Sequence, residues 1–249
     1  KIIVLGMDKN ITTFFLITNK MTNCISSRIM VLKTLFCLSV LSCSSDLEIK
    51  DTNTEKKKQQ SEISFRILIL GDSLTEGYGV SKQQAFPYLL EQKLNSELTG
   101  PKKKKFEVIN AGISGSTTSG GVSRIEWLLK SNPDYLIIAL GGNDGLRGIP
   151  VIETEKNLER IVLAAKEKKI PTLLAGMKIP PNYGIQYTQE FAALFKNLAK
   201  DQNVSLLPFL LKGVGGDPSM NLPDRIHPNP AGHQKISQTV YDHLVQHLP

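Results

Sequence analysis

The sequence predicts an α/β protein built on a parallel sheet with helices on both faces. Three observations carry that expectation. Five short apolar runs recur between residues 66 and 209, longer amphipathic stretches separate them, and the segments that follow the runs are small or polar. With 249 residues, 41% of them hydrophobic, the chain can bury a substantial core within one domain.

The first run, "RILIL" at 66–70, leads straight into Gly71, Asp72 and Ser73. An amphipathic stretch near 85–98 follows, then the turn signal Gly100-Pro101, the cations Lys102 to Lys105 and a second run, "FEVIN" at 106–110. A helix near 117–130 connects it to "YLIIAL" at 135–140, and one near 153–168 leads on to "PTLLAG" at 171–176. The next, near 187–201, places Phe191, Leu194, Phe195 and Leu198 at spacings of three and four before "VSLLPF" at 204–209, and a last helix is expected near 230–247. Ligands of such sheets bind at the carboxyl ends of the strands. The segments found there are "GDS", "NAGISGSTT", "GGNDGLRG" and "MKIPPNYG", all suited to leaving that edge open.

The front of the chain reads differently. Cys24, Cys37 and Cys43 all lie within the first 43 residues, so the part from residue 64 onward holds no disulfide framework, no cysteine-based zinc site and no cysteine nucleophile. Met30 to Ser45 runs from a cation through about ten apolar residues to small ones, the shape of a secretory signal and too short to span a bilayer. "VLSC" resembles a bacterial lipobox, which makes Cys43 a candidate lipidation site and places the protein in a bacterial cell envelope, periplasmic or anchored to the membrane. Residues 1–43 are thus expected to be a signal, 44–63 a flexible tether, and 64–249 the catalytic domain. The formal charge is +7, but the first 42 residues supply much of it, leaving roughly +3. With no aromatic residues among the lysines, that balance argues against nucleic acid as a partner.

Ser73, between a strand and a helix, either caps the helix or attacks a substrate. Attack needs a base, and the chain has four histidines. His243 and His247 lie in the polar-flanked last helix and His233 one turn into it, where surface positions are expected. His227 sits in "PDRIHPNP" with Asp224 three residues earlier, a spacing at which a carboxylate can accept from imidazole Nδ1–H and orient the ring. The turn also reads simply as one that ends in a helix-capping Asn229. Oxyanion donors are on offer at the same edge: the N–H of Ser73, the N–H of Gly112 and the side-chain amide of Asn143. Gly112 and Asn143 taken singly also read as turn formers.

"ILGDSLTEGYG", "VINAGISGSTTSGG", "ALGGNDGLRG" and "DRIHPN" together resemble the Ser, Gly, Asn and His blocks of the SGNH hydrolases, also called GDSL esterases. "GGNDGLRG" and "MKIPPNYG" point to the branch that contains acyl-CoA thioesterase I, with its lysophospholipase and arylesterase activities. The resemblance covers roughly residues 65–249 and implies a three-layer α/β/α sandwich of flavodoxin-like type. It further implies Ser73 as nucleophile, Asp224 as orienter, His227 as base, and Ser73, Gly112 and Asn143 as the oxyanion hole. Leu146, Ile179, Pro180 and Tyr183 resemble the family's acyl-binding positions. No metal or organic cofactor is implied, and the implied partner is a small-molecule or lipid acyl ester. Arg225 stands where close relatives often have Gly. A carbohydrate O-deacetylase on the same scaffold and a non-catalytic ligand-binding lipoprotein are the alternative readings.

Overall fold

In the computed structural model, residues 64–98 and 105–248 are described. The expected signal, Cys43 and the expected tether lie outside them. Five parallel strands form one sheet: β1 Ser64–Gly71, β2 Lys105–Gly112, β3 Tyr135–Ala139, β4 Thr172–Ala175 and β5 Ser205–Leu207, in the order β2-β1-β3-β4-β5. Ile67 to Leu70 and every residue of β3 are buried, as continuous apolar runs covered on both faces should be. β2, at the sheet's edge, is largely half-exposed or exposed.

The helices are α1 Ser73–Glu76, α2 Phe86–Glu97, α3 Thr118–Leu128, α4 Gly142–Leu146, α5 Val151–Glu167, α6 Ile185–Asp201 and α7 Pro230–Leu244. α2 packs with α7, while α3 packs on α5 and α5 on α6. These two groups cover opposite faces of the sheet, as right-handed crossovers in this strand order require. The expected stripe on α6 is the buried one: Phe191, Leu194, Phe195 and Leu198 all face the core, with the Phe191 and Phe195 rings edge to face at 5.5 Å. Asn229 caps α7 by accepting from Gly232 N–H at 3.1 Å, ahead of Pro230 in the first turn.

Two features differ from the sequence expectation. α4 is a single helical turn where a loop is expected, since five residues show no period, and α1 is a single turn that includes Ser73 rather than a helix capped by it. His233 is fully buried rather than on the surface. Its Nδ1 accepts from Phe86 N–H at 3.3 Å and its ring stacks on Phe86 at 6.4 Å, because the last helix turns this face onto α2. His243 is half-buried on the same helix, and His247 is exposed.

β1 pairs with β2 on one side and β3 on the other, and the chain leaves for opposite faces after β1 and β3. That makes the gap beyond these two strands the switch point of the sheet, where a crevice must open. Ser73 follows β1 and Asn143 follows β3.

Candidate active site

Asp72, not Ser73, caps α1: its Oδ1 accepts from Leu74 N–H at 3.0 Å. That leaves the Ser73 hydroxyl free to face another partner, and His227 Nε2 lies 3.0 Å from Ser73 Oγ. On the far side of the ring, Nδ1 lies 2.7 Å from Asp224 Oδ2. The other Asp224 oxygen accepts from the backbone N–H groups of Ile226 at 2.9 Å and His227 at 3.0 Å. Those bonds, the one from His227 N–H foremost, hold the Asp224 carboxyl down at about 2. A carboxylate so fixed keeps Nδ1 protonated and leaves Nε2 to accept from Ser73. The turn is closed behind them by Leu222 N–H donating to His227 C=O at 2.7 Å. The Tyr78 ring lies beside the imidazole, tilted by 40° with 4.4 Å between ring centres.

Asn143 projects from α4 to the same place, and its Nδ2 donates to Asp72 Oδ2 at 3.2 Å and to Ser116 C=O at 3.1 Å. Asp72 is buried, and that burial pushes its carboxyl up to about 6. Asp144, also buried, accepts from Thr118 N–H at 2.9 Å and Thr118 Oγ1 at 2.5 Å, tying the start of α3 to α4.

Gly112 departs from expectation. Its N–H donates to Asn110 Oδ1 at 2.9 Å, a bond that an oxyanion would have to displace or share. Glycine is needed there for close approach instead, since a Cβ would stand 2.2 Å from the backbone N of Glu76. In the loop beyond it, Ile113 N–H donates to Gly71 C=O, Ser114 N–H to Glu76 Oε2, Ser116 N–H to Ile113 C=O and Thr118 N–H to Asp144. Among the described residues, nothing accepts from the N–H of Gly115, whose carbonyl is held by Arg147 Nη2 at 2.9 Å. The N–H of Thr117 is likewise without an acceptor, so Gly115 is the glycine of this loop whose donor is free; the letters "NAGISG", with two glycines three residues apart, do not distinguish them.

A cavity of about 510 Å³ opens beside Ser73 and His227. Leu146, Ile179 and Pro180 line it, as expected. Tyr183 does not line it; its hydroxyl donates to Leu146 C=O at 2.9 Å and braces that residue from outside. Phe209, Leu211 and Ile226 complete an apolar lining that sequence reasoning missed. Phe209 and Leu211 directly follow β5, ahead of the turn that carries Asp224 and His227.

The model of the GDSL-like Lipase/Acylhydrolase family matches residues 69–235. The chain belongs to that family. It is 36% identical to an arylesterase of Vibrio mimicus over 76% of this chain and 92% of that protein. It is 42% identical to thioesterase 1/protease 1/lysophospholipase L1 of Escherichia coli (strain K12) over 66% of this chain and 75% of that protein. The crystal structure of AlinE4, an SGNH-hydrolase family esterase, superposes with a TM-score of 0.61 at 38% identity, covering 75% of this chain and 97% of that one. The three-layer α/β/α architecture read from the sequence is therefore the fold of this GDSL-family chain.

Proposed function

We propose that this family member is a serine hydrolase that cleaves carboxylic ester or thioester bonds of acyl substrates through an acyl-enzyme on Ser73. The observation that carries the reading is the hydrogen-bonded line from Asp224 through His227 to Ser73, opening into an apolar cavity. His227 Nε2 takes the Ser73 proton as Oγ attacks the carbonyl carbon. The tetrahedral oxyanion is met by the N–H of Ser73, at the start of α1, by Asn143 Nδ2 and by the N–H of Gly115 in place of Gly112. His227 then gives its proton to the leaving oxygen or sulfur. Water, deprotonated by the same nitrogen, releases the acid and restores Ser73.

Medium or long acyl chains suit the site better than acetyl, which would leave most of the 510 Å³ unfilled. That weighs against the O-deacetylase reading, and Ile179→Asp should shift the preference toward short chains. Residues 64–249 are the catalytic unit. The apolar stretch ending at Cys43 supports export and lipid anchoring in a bacterial envelope, with residues 44–63 as tether; among the described residues no helix is long and apolar enough to cross a membrane. The direct test is fluorophosphonate labelling of the purified protein beside Ser73→Ala and His227→Ala, with p-nitrophenyl esters of graded chain length assayed in parallel. Labelling and hydrolysis lost together in both variants is the expected result. A folded wild-type protein that takes no label would return Ser73 to a structural role and revive the binding-protein reading.

A further inference from the structure

Arg225 holds a left-handed backbone conformation, φ 61°, that any residue with a Cβ resists. Glycine would adopt it freely. The conformation is fixed by the turn that carries Asp224 and His227, with Arg225 N–H closing onto Leu222 C=O at 2.8 Å. A strained residue retained in a functional loop points to a task for its side chain.

Arg225 lines the cavity next to His227. From the segment after β4, Lys178 lines the same cavity, its ammonium 5.1 Å from the centre of the Phe209 ring. Among the described residues, neither cation forms an ion pair with a carboxylate. The two carboxylates nearby are committed: Asp224 to His227 and the turn's own N–H groups, Asp72 to Leu74 N–H and Asn143. An arginine fork and a lysine point charge left unpaired at one cavity form a site for an anion. Its position within the reaction follows from His227, which protonates the departing group. Arg225, two residues away, stands on the leaving-group side, while Leu146 and Ile179 serve the acyl chain.

We propose that Arg225, assisted by Lys178, selects acyl substrates whose leaving group carries phosphate, as the nucleotide end of a coenzyme A thioester or the headgroup of a lysophospholipid does. This rests on the serine-hydrolase reading above. The test is steady-state kinetics of the full chain, wild type beside Arg225→Gly, Arg225→Lys and Lys178→Met, on four substrates of matched acyl length: an acyl-CoA, a lysophosphatidylglycerol, a monoacylglycerol and a p-nitrophenyl ester. In Arg225→Gly, the ratio of kcat/KM on a phosphate-bearing substrate to that on the neutral esters should fall about twofold to fivefold, the scale of one exposed charge pair. The thermal midpoint should hold or rise, because glycine relieves the strain. Arg225→Lys should recover part of the ratio, and about 0.5 M salt should shrink the wild-type preference. A fall confined to acyl-CoA or to the lysolipid identifies the source of the phosphate. An unchanged ratio in Arg225→Gly overturns the proposal, as does a wild-type enzyme that turns over neutral esters but neither phosphate-bearing substrate. A wild type inactive on all four overturns the hydrolase reading itself.

Discussion

Asn143 offers both hydrogens of its Nδ2 inward, to Asp72 Oδ2 and Ser116 C=O, so an oxyanion must share a donor that is already aimed and immobilised. Such preorganisation makes a donor effective, because nothing has to reorient as charge develops. Asn143→Ala should lower kcat about 10²-fold to 10³-fold while leaving residual turnover from the backbone donors. Single-turnover acylation by a p-nitrophenyl ester checks it, and full activity would remove Asn143 from the hole. Tyr78 works on the other partner. With its ring centre 4.4 Å from that of His227, it presents an aromatic face to the imidazolium that forms during attack. Tyr78→Phe should therefore keep kcat, whereas Tyr78→Ala should lower it about threefold to tenfold with little change in KM. At this scale Ser73, Asp224, His227 and Asn143 were legible, because the chain has only four histidines and the other three residues stand at marked places on the same sheet edge. Tyr78 was not: between Gly77 and Gly79 it reads only as part of a turn. The choice between Gly112 and Gly115 depends on which N–H is already bonded, which no letter records.

The elements that hold these residues are the ends of β1 and β2, the two single-turn helices beyond β1 and β3, and the turn ahead of α7 that carries Asp224 and His227. Arg124, on α3, joins the strand ends: Nη1 donates to Ala111 C=O at 2.5 Å, and Nη2 to Gly71 C=O at 2.7 Å and to Ser116 Oγ at 3.3 Å. It thereby fixes the peptide just before Asp72 and Ser73 and the loop that receives Asn143. Arg124→Met keeps the stem and the helix but takes a donor from each of two strand-end carbonyls, leaving Gly71 C=O only that of Ile113 N–H. It should cost about 2 kcal/mol in denaturant unfolding and reduce kcat more than KM. Gly112→Ala separates two accounts of that glycine. A residue needed only as an N–H donor would tolerate alanine, but one needed for close approach would not. With the new Cβ 2.2 Å from Glu76 N, a loss of about 1–3 kcal/mol is expected. Strands and long helices were readable to within a few residues, since burial on both faces writes continuous apolar runs and burial on one writes the spacing of Phe191, Leu194, Phe195 and Leu198. α1 and α4 depend instead on local capping and on strand ends brought together by the fold.

For the described fold as a whole, two buried titratable groups set opposing responses to acid. Burial pulls His233 down to about 4 from an ordinary 6.5 and pushes Asp72 up to about 6 from an ordinary 3.8. The stability tied to neutral His233 is present above pH 6.5 and is lost as pH falls toward 4, because the unfolded chain takes the proton first. The stability tied to protonated Asp72 is present below pH 3.8 and is lost as pH rises through 6. Each is worth on the order of 3 kcal/mol at most. Between pH 4 and 6 the two run in opposite directions, so the wild-type unfolding free energy should change little there. Removing either group should expose the other. Asp72→Asn keeps an acceptor for Leu74 N–H but no longer titrates, and should lose stability steadily as pH drops from 6.5 to 4. His233→Gln, which can still accept from Phe86 N–H, should gain stability over the same interval. Urea melts of the three proteins across that range decide the matter. Parallel curves would mean that neither burial, at the cap of α1 or in the seam between α2 and α7, governs acid stability.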